Sequence, residues 1–229
     1  KTVTFESCAK RYIESHRSGW KSAKHADQWT STLQAYAGPI IGKMDVALIE
    51  TAHIMRVLDP VWHTKAETAS RLRGRVEAIL DWATVHRYRT GDNPARWKGH
   101  LEALLPARSK VSKAKHFAAL PWRDMKPFMA ELRQQNGIGA LALQFTILTA
   151  ARSGEVRGME WYEVDFEHRL WTVPGERMKA GREHRVPLSN AAFELLEQLK
   201  AVKLADTETV FPSVRDHKPL SHMTLTAVL

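Results

Sequence analysis

The chain has 229 residues, enough for one large or two modest domains with separate cores, and its 44% hydrophobic content is ordinary for a globular protein. It has no apolar run near the twenty or so residues of a membrane span and no basic-then-apolar secretory start, while the lone Cys8 excludes an internal disulfide and fits a reducing cytoplasm. The formal charge of +9 is uneven, with 18 Lys and Arg against 11 Asp and Glu in residues 1–110, but 16 against 14 in residues 111–229. A basic half beside a balanced half suggests a DNA-gripping module joined to a more chemical one. A charge that serves only solubility explains the same numbers.

In chain order, residues 1–105 read as helical apart from short strands. Thr4 is placed to cap a helix through Phe5, Ala9, Tyr12 and Ile13. A second helix over 20–37 carries Trp29, Leu33, Tyr36 and Ala37 on one face and is expected to end before Gly38-Pro39. A third over 47–58 stops near Pro60, and the longest, over 65–88, has a stripe of Ala69, Leu72, Val76, Ile79, Leu80 and Ala83. Four helices with short links suggest a compact bundle. Residues 106–115, small, polar and basic without periodicity, read as a linker.

A second domain is expected over 116–229. Helices are predicted over 121–135 and 139–151, then strands over 162–166, 170–174 and 184–188, then a helix over 190–203. Ser221 reads as the N-cap of a further helix that Leu229 cuts off, which suggests truncation. The expected fold class is mainly α with a small antiparallel sheet: a helical domain followed by an α+β domain.

The most informative run is Thr149-Ala-Ala-Arg152-Ser-Gly-Glu155-Val-Arg157, where an apolar stretch delivers Arg152 to a break at Ser153-Gly154. Arginine is permanently charged and donates two parallel bonds to one anion, and glycine leaves backbone room beside a phosphate. The bland alternative is a helical ion pair of Arg152 with Glu155. Arg157 reads as structural. Lys179 lies between the second and third strands, among Arg177, Arg182, His184 and Arg185. A general acid must release a proton, which lysine does and arginine does not, so Lys179 ranks first and Arg182 and His184 rank as DNA contacts.

In the first half, Lys21, Lys24, Gln28 and Ser31 share one helix face, and Thr68, Arg71 and Arg75 another, each opposite an apolar stripe. Such side chains neutralise phosphates or pair with base edges, although a polar helix face is more often merely solvated. Gly137-Ile-Gly139-Ala-Leu-Ala142 fits a dinucleotide fingerprint but follows a helical pattern, so Asn136-Gly137 reads better as a helix C-cap. The scattered histidines imply no metal, the missing phosphate-binding loop implies no ATP, and the eight tryptophans read as core.

The segments TAARSGEVRGMEW and WTVPGERMKAGREHRVPLS, at this spacing, resemble the first catalytic arginine and the catalytic-lysine hairpin of the tyrosine recombinases, the phage integrase family. The resemblance covers nearly the whole chain and is nearest to integrases of prophages and pathogenicity islands. It implies a helical core-binding domain over 1–105 that lays helices across DNA, and the first part of a catalytic domain over 116–229. It assigns Arg152 and Lys179 as catalytic and Glu155 as supporting them.

The implied reaction needs no metal or nucleotide. A tyrosine attacks a DNA phosphate, leaving a 3′-phosphotyrosyl link and a free 5′-hydroxyl. The implied partners are double-stranded DNA at attachment or crossover sites, a homo-tetramer on paired sites, and accessory bending or directionality factors; no membrane is implied. No His-x-x-Arg follows Lys179, and none of Tyr12, Tyr36, Tyr88 or Tyr162 suits the nucleophile. Residues 1–229 are therefore expected to bind DNA without cleaving it. The rival readings are a type IB topoisomerase and a non-catalytic DNA-binding or accessory protein.

Overall fold

The computed structural model describes residues 2–20, 23–111, 117–203 and 207–229. The chain forms two compact units, residues 1–117 and 118–229.

The first unit is a bundle. Helix α1 (Phe5–His16) starts where the Thr4 hydroxyl accepts the Ser7 N–H at 3.3 Å, and it buries Phe5, Cys8 and Ala9. Helix α2 (Ala23–Thr32) does not stop before Gly38-Pro39 as expected. It runs on as a π-helical stretch, Leu33–Gly42, with Pro39 inside. Proline costs about 3 kcal/mol in a helix interior. Here that is offset because the continued turns bury Ala37 and Ile41, and a large aliphatic side chain contributes about 1.5–3 kcal/mol when buried.

Helix α3 (Thr51–Trp62) starts later than predicted. The Asp45 carboxylate takes the Ala47 N–H at 3.0 Å and turns Val46–Leu48 into a separate 3₁₀ turn. It also passes through Pro60. That residue lies in the last turn, where it forfeits only one ladder bond, and beyond it Val61 and Trp62 are buried. Helix α4 (Ala66–Val85) follows the predicted stripe, burying Ala69, Leu72, Val76, Ile79, Leu80 and Ala83.

The start of the predicted linker is not a free connection. Pro106 accepts the Trp62 indole N–H at 3.0 Å, and Arg108, which opens the single turn α5 (Arg108–Val111), pairs with Glu67. Residues 112–116 lie outside the described residues.

The second unit begins with a 3₁₀ turn, Trp122–Asp124, and α6 (Met125–Leu132). Trp122 is 88% exposed, against the reading of the tryptophans as core. Gly137 caps the start of α7 (Ile138–Thr149), not the end of α6. Its φ of +104° is open to glycine alone at little cost, and the chain there turns into a helix instead of leaving one. Helix α8 is short (Ser153–Arg157).

The antiparallel sheet β1 (Val164–Asp165), β2 (Leu170–Val173) and β3 (His184–Pro187) has β2 in the centre, with Trp171 opposite Val164 and Val186. Trp171 and Val173 point into a core built around Phe145 and Phe211, and the Phe145 ring centroid lies 5.5 Å from that of Trp171. Helix α9 (Asn190–Ala201) is capped by Ser189, whose hydroxyl accepts the Ala192 N–H at 3.4 Å. The last helix, α10 (Thr224–Ala227), starts three residues after the predicted cap Ser221, whose hydroxyl instead meets that of Thr224 at 3.0 Å. Among the described residues no helix is long and apolar enough to cross a membrane.

Two outcomes check this description. Ala150 follows α7 in the left-handed region, φ +52°, a conformation that costs an L-residue about 1–2 kcal/mol. Ala150→Gly is expected to raise stability by about 1 kcal/mol in urea denaturation. Cys8 is fully buried, and burial pushes its thiol above the ordinary value. A thiol reagent at pH 8 should leave it unmodified until denaturant is added.

Candidate functional site

In the second unit, apolar α7 leads through Ala150 to Arg152, which sits in extended backbone (φ −72°, ψ 143°) just before α8. The Glu155 carboxylate, in the first turn of α8, takes the Arg152 backbone N–H at 3.1 Å with one oxygen and the guanidinium at 2.7 Å with the other. The acid is buried, 8% exposed, while the arginine side chain is 71% exposed. The ion pair is present, and it leaves most of the Arg152 side chain in solvent. A buried acid holds one arm of a planar fork whose body stands in solvent.

Arg157, read as structural, donates to the Leu220 carbonyl at 2.7 Å and ties α8 to the segment before α10.

The segment carrying Lys179 leaves β2 through a 3₁₀ turn, Gly175–Arg177. Lys179 is exposed, as are Arg182 and His184. Gly181 has φ +69°, and a Cβ on Gly175 would come within 3.0 Å of the Gly181 carbonyl, so glycine is required where this turn closes on itself. Arg185 is occupied by Glu183 at 2.8 Å.

The residue that joins the two motifs is Arg177. One Nη donates to the Glu163 carboxylate and the other to the Glu155 carbonyl. That carbonyl belongs to the last turn of α8, where helices run out of their own donors. Glu163 has a fully buried side chain, and its second oxygen accepts the Trp171 indole N–H at 2.9 Å. The order is Arg152–Glu155–Arg177–Glu163–Trp171, linking the arginine-bearing turn, the lysine-bearing connection and the central strand. Sequence reading left Arg177 among the basic competitors of Lys179 and missed Glu163. Their only signal was the tryptophan on β2, whose buried indole needs an acceptor.

In the first unit, Lys24, Gln28 and Ser31 are exposed on α2. Lys21 lies outside the described residues. On α4, Thr68 is half-buried and Arg71 is exposed and bonded to Glu67 at 2.9 Å. Arg75 does not face solvent as expected. It is 8% exposed, donates to the Gln28 carbonyl at 2.7 Å, and lies 5.5 Å over the Trp29 ring. Its long apolar stem lets it pack inward, and burial, then the neighbouring Arg71, pulls its pKa below the usual arginine value.

The phage integrase central domain model matches residues 5–100, and the phage integrase family model matches residues 120–229. The integrase of Enterobacteria phage P4 is 32% identical over 242 residues, covering 99% of this chain and 53% of its own length. Prophage integrase IntZ of Escherichia coli K12 is 30% identical over 218 residues, covering 95% of this chain and 52% of its own. The chain thus spans about half the length of these curated relatives. Among solved structures, a lambda integrase tetramer bound to a Holliday junction matches 99% of this chain and 64% of its own at TM-score 0.75 and 20% identity. The Tn1549 transposon integrase in complex with a circular intermediate DNA matches 97% and 75% at TM-score 0.74 and 11% identity. At these identities the likeness is one of fold: a helical core-binding domain, then an α+β domain with a three-stranded sheet.

Stability should separate the two arginine environments. Removing Glu163 strands a largely buried guanidinium, so Glu163→Ala is expected to cost about 3–5 kcal/mol in urea denaturation followed by tryptophan fluorescence. Arg152→Ala leaves the buried Glu155 carboxylate with the Arg152 backbone N–H alone and should cost less, about 1–3 kcal/mol.

Proposed function

The chain belongs to the phage integrase family of tyrosine recombinases, and from that premise we propose that residues 1–229 grip DNA for site-specific strand exchange. The observation that carries this reading is an exposed arginine fixed by a buried acid, with the Lys179 segment bonded to the same short helix. The chemistry is phosphoryl transfer. A tyrosine oxygen attacks the scissile phosphate, the bond to the 5′ oxygen breaks, and a 3′-phosphotyrosyl link conserves the ester until a partner strand's hydroxyl reverses the step. Arg152 stabilises charge on the nonbridging oxygens, where preorganised donors act most strongly. Lys179 donates the proton that the leaving 5′ oxygen needs. Glu155 keeps Arg152 in place.

In the first unit, Lys24, Gln28 and Ser31 on α2, with Thr68 and Arg71 on α4, form the set we propose to meet the duplex. Lys21 belongs to the set by its sequence position alone. Arg75 is assigned to holding α2 in place, because its guanidinium is already engaged. Arg182 and His184, exposed beside Lys179, are proposed as phosphate contacts. The full-length protein is proposed to act on paired attachment sites as a homo-tetramer, a reading supported by the lambda integrase tetramer bound to a Holliday junction. Accessory DNA-bending or directionality factors and a cytoplasmic site of action in a bacterial host complete the proposal.

None of the four tyrosines is proposed as the nucleophile. Tyr12, Tyr36 and Tyr88 belong to the first unit. The Tyr162 phenol is held above its ordinary value, by desolvation first and then by Glu160 and Glu163, which works against forming the attacking phenolate.

The test is binding of residues 1–229 to labelled duplex DNA across a salt series. Affinity should fall linearly in log–log form, and Lys24→Ala and Arg71→Ala should each flatten the slope by about 0.9. An affinity indifferent to salt would overturn the reading. A covalent adduct surviving detergent would overturn the claim that this stretch binds without cleaving.

A further inference from the structure

We propose that Arg177 is a positioning residue, whose guanidinium, held between the Glu163 carboxylate and the Glu155 carbonyl, sets where Lys179 stands relative to Arg152. The inference rests on the reading of Arg152 and Lys179 as a phosphate-handling pair. It adds how two motifs far apart in sequence are brought into register. Lys179 lies only two residues beyond Arg177, so fixing the Arg177 side chain fixes the start of the lysine segment.

Both ends of the clamp are themselves fixed. Glu163 is fully buried and its other oxygen is taken by the Trp171 indole on the central strand. Glu155 offers its carbonyl to Arg177 while its carboxylate holds Arg152, so one residue faces both motifs. Arg177 also lies against the backbone beyond α8, where a Cβ on Gly158 would meet its Nη2 at 3.2 Å. Its role differs from that of a phosphate contact, since both Nη groups are engaged within the protein and the side chain is 23% exposed. Lysine cannot replace it, because a single ammonium lacks the two-armed planar fork that spans a carboxylate and a carbonyl.

A double-mutant cycle on affinity for a fluorescein-labelled duplex of mixed sequence tests this. Lys179→Ala and Arg177→Gln are each expected to weaken binding about three- to tenfold, and the pair no more than the worse single change. Arg177→Lys should behave as Arg177→Gln. A core change of comparable thermal cost, Phe211→Leu, should leave affinity unaltered well below its melting temperature, which separates positioning from general loosening. If Arg177→Gln does not fold, Glu163→Gln is carried through the same cycle, since an amide still accepts from Trp171 but loses the charge that holds Arg177.

Additive effects, a silent Arg177→Gln beside a weakening Lys179→Ala, or full rescue by Arg177→Lys would each overturn the positioning role and leave the reading of Lys179 standing. If Lys179→Ala and Arg152→Ala both leave affinity unchanged, the phosphate-handling reading itself falls and the positioning role falls with it.

Discussion

The second unit is organised around the need to neutralise one buried carboxylate. Glu163 has no exposed side-chain surface, and an ionised acid in that position is tolerable only with a cation and hydrogen bonds on both oxygens. Arg177 and the Trp171 indole meet that need. Each brings its own element, Trp171 the central strand and Arg177 the connection that leaves it. Arg177 then spends its second arm on the carbonyl of Glu155 and thereby reaches α8. A hydrophobic core that includes Phe145, Trp171 and Phe211 supplies burial energy, but apolar contacts are non-directional. The buried polar chain adds a directional link between α8 and the connection, so the geometry around Arg152 depends on it as well as on the core.

The same logic explains why a buried glutamate supports an exposed arginine. A fully solvated pair gains little, because water screens the charges and two flexible side chains must be held together. Here one partner is already immobile, so the entropy of placing Arg152 is reduced to its own rotamers. The carboxylate also takes the Arg152 backbone N–H, which fixes the Cα as well as the guanidinium. A donor held in place before an anion arrives reorganises little when it meets one. That is the condition under which such groups contribute most to stabilising charge.

What the sequence made legible follows the strength of local signals. The α4 stripe, the Thr4 cap and the strand at Trp171 were readable because each rests on periodicity or on a single polar atom near a helix end. Prolines were misread. Pro39 and Pro60 mark helix ends by local rules, yet Ile41 and Trp62 lie beyond them and are buried, so packing outweighed the lost ladder bonds. Arg75 shares the predicted polar face with Thr68 and Arg71, but polarity does not tell a solvated arginine from one whose stem is buried and whose head meets a carbonyl. Beyond the need of the Trp171 indole for an acceptor, nothing marked Glu163, since its partner Arg177 lies 14 residues away on a turn that no pattern places against it.

The first unit raises the complementary question of which basic residues remain available to a polyanion. Its excess of positive charge is not uniform surface. Arg108 pairs with Glu67, Arg73 with Glu77, and Arg75 and Arg89 are buried. Arg11 is taken up with Tyr88, to whose hydroxyl it donates at 2.8 Å. Much of the arginine content therefore builds the bundle, and the net charge overstates the number of groups open to phosphate. On α2 the balance is different. Lys24 is exposed, Gln28 and Ser31 follow on the same face, and the helix behind them is pinned by Arg75 on the Gln28 carbonyl and Trp29 stacked 5.2 Å from Tyr12. Rigid support beneath an exposed polar face lowers the ordering cost of each contact that the face makes. By that criterion α2, more than α4, is the exposed face of the first unit best fitted to the duplex contact proposed above.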